Sequence, residues 1–114
     1  MPIHYLEIVT PDVDAVCAAW TAASGLKFGE PEAALGNART APSPDGGLVG
    51  VRAPLRDNET PVVRPYWLVE DIHAAVAAAE EAGAFVAVPP MPLPGHGTCA
   101  IYLVGGVELG LWER

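Results

Sequence analysis

The sequence predicts an α+β fold built from two tandem βαβββ modules. Three observations carry this. One order of elements is traversed twice, an aspartate stands at the head of each helical stripe, and a glycine stands at each helix end. Shifted by 59 positions, Glu7-Ile8-Val9-Thr10-Pro11-Asp12-Val13 lies on Tyr66-Trp67-Leu68-Val69-Glu70-Asp71-Ile72. Gly25 answers Gly83, and Gly46-Gly47-Leu48-Val49-Gly50-Val51-Arg52 answers Gly106-Val107-Glu108-Leu109-Gly110-Leu111-Trp112. At 114 residues and 11.9 kDa the chain has the length of one domain and needs no metal or disulfide staple to fold. The first module is expected over about residues 1–56 and the second over about 61–114.

Residues 3–10 alternate and are rich in β-branched and aromatic side chains, which predicts a strand. Pro11-Asp12 ends it, and Asp12 or Asp14 is suited to cap a helix. Val13, Val16, Cys17, Trp20 and Ser24 then recur at helical spacing up to Gly25. Leu26–Glu30, Ala33–Pro42 and Gly47–Leu55 read as extended, with a turn at Pro44-Asp45-Gly46-Gly47. Polar residues 56–61 form a linker. The order then restarts. Val62–Val69 is a strand, Asp71 a cap, and Ile72, Ala75, Val76 and Ala79 a helical stripe up to Gly83. Phe85–Val88 is extended, Pro89–Gly97 a loop, and Thr98–Val104 and Val107–Glu113 are strands.

Composition removes several function classes. Six Lys+Arg against fourteen Asp+Glu give 6 − 14 = −8, and the pI is near 4.6. Nucleic acid and anionic membrane both demand a basic face, so neither is expected as a partner. No run of roughly 18 apolar residues occurs, as a membrane-spanning helix requires. Cys17 and Cys99 lie far apart without CxxC spacing, so a reduced, cytoplasmic protein is expected. A small molecule remains the expected partner.

The pattern resembles the vicinal oxygen chelate superfamily, which holds glyoxalase I, extradiol dioxygenases, methylmalonyl-CoA epimerase and bleomycin-binding proteins. Its carriers are Tyr5-Leu6-Glu7-Ile8-Val9-Thr10-Pro11-Asp12, Val69-Glu70-Asp71-Ile72 with the Ala-rich stretch to Gly83, Val88-Pro89-Pro90 with Pro94-Gly95-His96-Gly97, and Gly110-Leu111-Trp112-Glu113. The resemblance implies an open, cup-shaped mixed β-sheet with the helices outside, and pairing of chains as a homodimer. Members that use a metal take one ligand from the first and one from the last strand of each module. The metal then acts as a Lewis acid on an enolate or oxyanion. Carried onto this chain, those positions are Tyr5, Gly50, Arg64 and Gly110. Two glycines offer no side chain and an arginine repels a cation, so no metal and no other cofactor is expected. The Asp-Pro-x-Gly-Asn turn common before the last strand is replaced by Leu103-Val104-Gly105-Gly106.

With Tyr5, Gly50, Arg64 and Gly110 facing the cup, strand alternation selects the rest of its lining. Tyr5, Glu7, Leu48, Gly50, Arg52, Arg64, Tyr66, Glu108, Gly110 and Trp112 are the expected ligand-binding residues. The aromatics suit a flat ligand and the charges would orient it. Equally, Glu7 and Glu108 could pair with Arg52 and Arg64, since a partly buried carboxylate needs a partner in any case. If a ligand reacts, Glu7 is the candidate general base.

The other candidates are weaker. His4 reaches the cup only if the first strand slips by one residue. His73 sits beside a helix cap. His96 lies in a Gly-flanked loop, and His96 with Cys99 is too few ligands for a metal. Cys17 belongs to a buried helical stripe, and Cys99 lacks a catalytic partner. The expected function is metal-free binding of an aromatic or cationic small molecule, in the manner of the bleomycin-resistance branch. The alternatives are an isomerase or lyase of the same superfamily, metal-dependent or not, and a module whose cup is filled by its own side chains.

Overall fold

The computed structural model describes residues 2–114 and shows an α+β fold with eight strands and two helices. The strands are β1 (Ile3–Val9), β2 (Pro31–Glu32), β3 (Ala38–Pro42), β4 (Leu48–Arg52), β5 (Val62–Leu68), β6 (Phe85–Leu93), β7 (Gly97–Val104) and β8 (Val107–Glu113). The helices are α1 (Val13–Ser24) and α2 (Ile72–Glu81). Two compact units divide the chain: Tyr5–Val63, and Arg64–Arg114 together with the residues up to His4.

In the Tyr5–Val63 unit the strand order is β2-β3-β4-β1. β1 runs parallel to β4 and the other pairings are antiparallel, so the sheet is mixed. A parallel pair needs a long crossover, and α1 lies in that crossover. The helix covers one face, where Ile8, Cys17, Val49 and Val51 form a core with Leu6, Val13, Val16, Trp20, Leu26 and Phe28 around it. Gly25, at φ 81°, ends α1 in the left-handed region.

The second unit repeats the plan in the order β5-β8-β7-β6, with β5 parallel to β8. Ile72, Ala100 and Leu111 pack with Trp67, Val69, Ala75, Val76 and Tyr102 under α2. Burying one such aliphatic side chain contributes about 1.5–3 kcal/mol. Asp71 caps α2, its Oδ1 accepting the Ala74 N–H at 3.0 Å. Gly105 and Gly106, both at positive φ, turn β7 into β8. Cys17 and Cys99 are buried free thiols, and among the described residues no helix is long and apolar enough to cross a membrane.

Four local expectations need correction. Leu26–Glu30 forms no strand. Its backbone is satisfied singly, Gly29 N–H donating to the Thr40 carbonyl and Arg39 donating to the Phe28 and Gly29 carbonyls. Ala33–Leu35 is a 3₁₀ turn rather than extended, because Gly36 and Asn37 adopt positive φ and the Glu32 carboxylate accepts the Ala34 N–H. Neither Asp12 nor Asp14 caps α1 through its side chain. Thr10 Oγ1 accepts the Asp12 N–H, while Asp14 pairs with Arg39 at 3.0 Å. Finally, β6 continues through Pro89, Pro90 and Pro92 to Leu93, leaving only residues 94–96 as the turn. Proline lacks an N–H, but β6 is an edge strand and its register shifts between Val86 and Met91, which accommodates the missing donors.

Candidate functional site

Each sheet has one face under its helix, and period-two alternation sends the other residues to the opposite face. In the Tyr5–Val63 unit this brings Tyr5, Glu7, Leu48, Gly50 and Arg52 together. Tyr5 pairs with Leu48 and Glu7 with Gly50 along the ladder. Tyr5 is buried, and a Cβ placed at Gly50 would fall on its hydroxyl. The space left by the glycine is therefore filled by the neighbouring phenol.

The charges of this unit are paired. Arg52 donates from Nε to Glu7 Oε2 at 2.7 Å, and from Nη1 and Nη2 to Glu59 at 2.9 and 2.7 Å. All three side chains are largely buried. Burial lowers the Arg52 pKa, but hydrogen bonds and charge from Glu59 and Glu7 outweigh it and raise the value overall. Glu59 sits in the stretch the sequence predicts as a polar linker, and no periodicity marks it. The clue available was its composition, an acidic residue seven positions after a buried arginine.

Burial also pushes the Tyr5 pKa well above 10, assisted by the Glu7 charge and opposed by Arg52. The unfolded chain ionises this phenol near pH 10 and the folded chain does not. Stability from Tyr5 is thus present below pH 10 and falls as pH rises past it. A 295 nm absorbance titration is expected to show that Tyr5 stays neutral at pH 11 and ionises only on unfolding. In Tyr5→Phe the absorbance change on alkaline unfolding should be smaller by one tyrosine.

In the second unit Arg64, Tyr66, Glu108, Gly110 and Trp112 share the face away from α2. Tyr66 pairs with Gly110 and Leu68 with Trp112. A Cβ at Gly110 would meet the Tyr66 ring and the Pro65 carbonyl. Arg64 donates from Nε (2.9 Å) and Nη2 (2.7 Å) to Glu108 Oε1, and Nη1 lies 3.5 Å from the Tyr66 hydroxyl. The Tyr66 and Trp112 rings meet edge to face, 5.7 Å apart at 89°. Trp112 Nε1 donates to the His96 carbonyl at 2.9 Å, which ties the turn before β7 to β8.

The remaining sequence candidates fall outside these groups or at their margin. Along the ladder Tyr5 pairs with Leu48 and reaches over Gly50 with its hydroxyl, while His4 stacks on Trp112 at 5.3 Å. Burial, then the Arg114 charge, lowers the His4 pKa. Cys17 lies in the α1 core, where burial raises its pKa. Cys99 is buried opposite Trp112. His73 is exposed at the start of α2.

A phenol over a bare backbone, and a guanidinium bound to a carboxylate beside a second bare backbone, do not suit a divalent cation. Among the described residues no group of three or more His, Cys, Asp or Glu is gathered to hold one.

No family model and no curated protein matches the chain. Solved structures do. A hypothetical protein, BH1468 from Bacillus halodurans C-125, superposes with a TM-score of 0.76 at 14% identity, covering 99% of this chain and 94% of that one. Methylmalonyl-CoA epimerase from Mycobacterium tuberculosis gives 0.75 at 16%, covering 98% and 87%. A variant of the Streptomyces coelicolor methylmalonyl-CoA epimerase in complex with 2-nitronate-propionyl-CoA gives 0.73 at 18%, covering 100% and 94%. The chain therefore shares the α+β fold of these structures.

Proposed function

We propose that this chain, sharing that fold, is a metal-independent small-molecule binding protein that holds an apolar or aromatic ligand against the sheet face away from its helices. One observation carries the reading. At the four strand positions where relatives that use a metal take their ligands, Tyr5 fills the space over Gly50, Tyr66 fills that over Gly110, and Arg64 is engaged with Glu108. Aromatic and apolar side chains continue along this face of the second unit and reach solvent at Phe85 and Met91 on its edge strand. A cationic ligand is disfavoured, since Glu7 and Glu108 already hold arginines.

A second reading, an isomerase of the same superfamily, is supported by the epimerases among the solved structures. It would give proton abstraction to Glu7, which here is held by Arg52. Elemental analysis of the purified protein is expected to find Zn, Ni, Mn, Co and Fe all far below one per chain. A thermal-shift screen is expected to find stabilisation by apolar or aromatic compounds without added metal. Stoichiometric metal would reject the first reading in favour of the second. No shift from any compound would leave a module filled by its own side chains.

A further inference from the structure

Resting on the binding reading above, we propose that Arg64 is an exchangeable carboxylate receptor, that Glu108 is its resident counter-ion, and that the ligand is an amphiphilic monocarboxylate. The argument starts from an asymmetry. The Arg64 residue is only 6% exposed, whereas the Glu108 side chain is 42% exposed. A guanidinium cannot shed its charge, so a buried one needs an anion against it. Its Nε–Nη2 edge is the fork that grips both oxygens of a carboxylate, yet here both nitrogens address the single oxygen Oε1 of Glu108. An ion pair whose acidic partner stands in water is weakly held. A ligand carboxylate that meets the fork with two oxygens forms the better pair, and Glu108 turns outward into solvent.

The register supplies a place for the ligand's body. Arg64 and Glu108 lie two residues before the paired Tyr66 and Gly110, on the same face. Glu108 pairs with Leu103 across β8 and β7, and Leu103 pairs with Phe85 across β7 and β6. One row therefore runs from a cation through a half-buried leucine to a phenylalanine that is 68% exposed. Two strand spacings separate Glu108 from Phe85, about 10 Å, the length of a medium-chain carboxylate. A large exposed aromatic at the end of such a row is explained by an apolar tail lying on it. The net charge of −8 opposes an approaching anion at long range, but physiological salt screens it beyond about 8 Å. Polyanions are therefore disfavoured relative to a single carboxylate.

Calorimetric titration of the whole chain with octanoate tests this, with acetate, octanol and inorganic phosphate as comparisons. Octanoate is expected to bind at least tenfold more tightly than each of the three. Glu108→Gln removes the competing charge on an exposed side chain and should tighten octanoate severalfold without changing octanol. Phe85→Ala should weaken octanoate about threefold to tenfold and leave acetate unchanged. Arg64→Lys keeps the charge but loses the fork, and should weaken octanoate about tenfold. If octanol binds as well as octanoate, or E108Q leaves octanoate unchanged, the receptor is rejected while the binding reading stands. If uncharged aromatics stabilise the protein and octanoate does not bind, the carboxylate class is likewise rejected. Failure of every compound rejects both.

Discussion

Replacing Arg52 with alanine is expected to lower the unfolding free energy by about 3–5 kcal/mol, the cost of leaving buried charges uncompensated. Arg52 holds two carboxylates at once, Glu7 through Nε and Glu59 through both terminal nitrogens, with a further bond from Nη1 to the Ala53 carbonyl at 3.2 Å. Glu59 in turn accepts the Leu55 N–H at 2.7 Å, so the clamp also fixes the segment that follows β4. Arg52→Lys keeps the charge but cannot span three acceptors, and should lose most of the same stability. Adding Glu7→Gln to Arg52→Ala removes one stranded charge and should recover part of the loss. Urea unfolding of the wild type, Arg52→Ala, Glu7→Gln and the double variant measures this as a cycle. A loss below about 1 kcal/mol for R52A would show that this network behaves like an exposed ion pair and not a clamp.

How far the sequence foretold this follows from which interactions are periodic. The helix-covered face of the first unit was legible, because Val13, Val16, Cys17 and Trp20 repeat at helical spacing and Ile8, Val49 and Val51 alternate against them. The opposite face was legible only in part: with its facing positions taken from the resemblance, alternation puts Glu7, Arg52, Arg64 and Glu108 on it, but whether the charges pair with one another follows from no period. Glu59 was not, because it reaches Arg52 from irregular chain that carries no period. The extension of β6 was missed because three prolines read as a loop, whereas an edge strand tolerates them. The row from Glu108 through Leu103 to Phe85 was half legible. The Gly105-Gly106 hairpin sets Leu103 opposite Glu108, but the bulged pairing of β6 with β7 follows from no local signal.

Truncating Trp112 is the second large effect. Trp112 is 1% exposed, and its ring meets the edge of Tyr66 and the imidazole of His4. Trp112→Ala removes this packing and leaves a cavity, which costs about 3–5 kcal/mol. The indole also does something a hydrocarbon cannot. Its N–H is a bond from β8 to the His96 carbonyl, in the turn that begins β7. Gly97 adjoins that turn so closely that a Cβ there would strike the Glu113 carbonyl, so turn and strand are held in contact by backbone as well. Trp112→Phe keeps an aromatic ring but loses the N–H, and is expected to cost about 1–3 kcal/mol, with a part-buried carbonyl losing a donor. The two variants separate the contributions. Amide exchange at residues 95–98 should accelerate in W112F far more than at Ala100 or Leu111, because the packed core survives while the turn is released. Uniform acceleration across both regions would instead show that Trp112 acts only through its bulk and that the bond to His96 pins nothing.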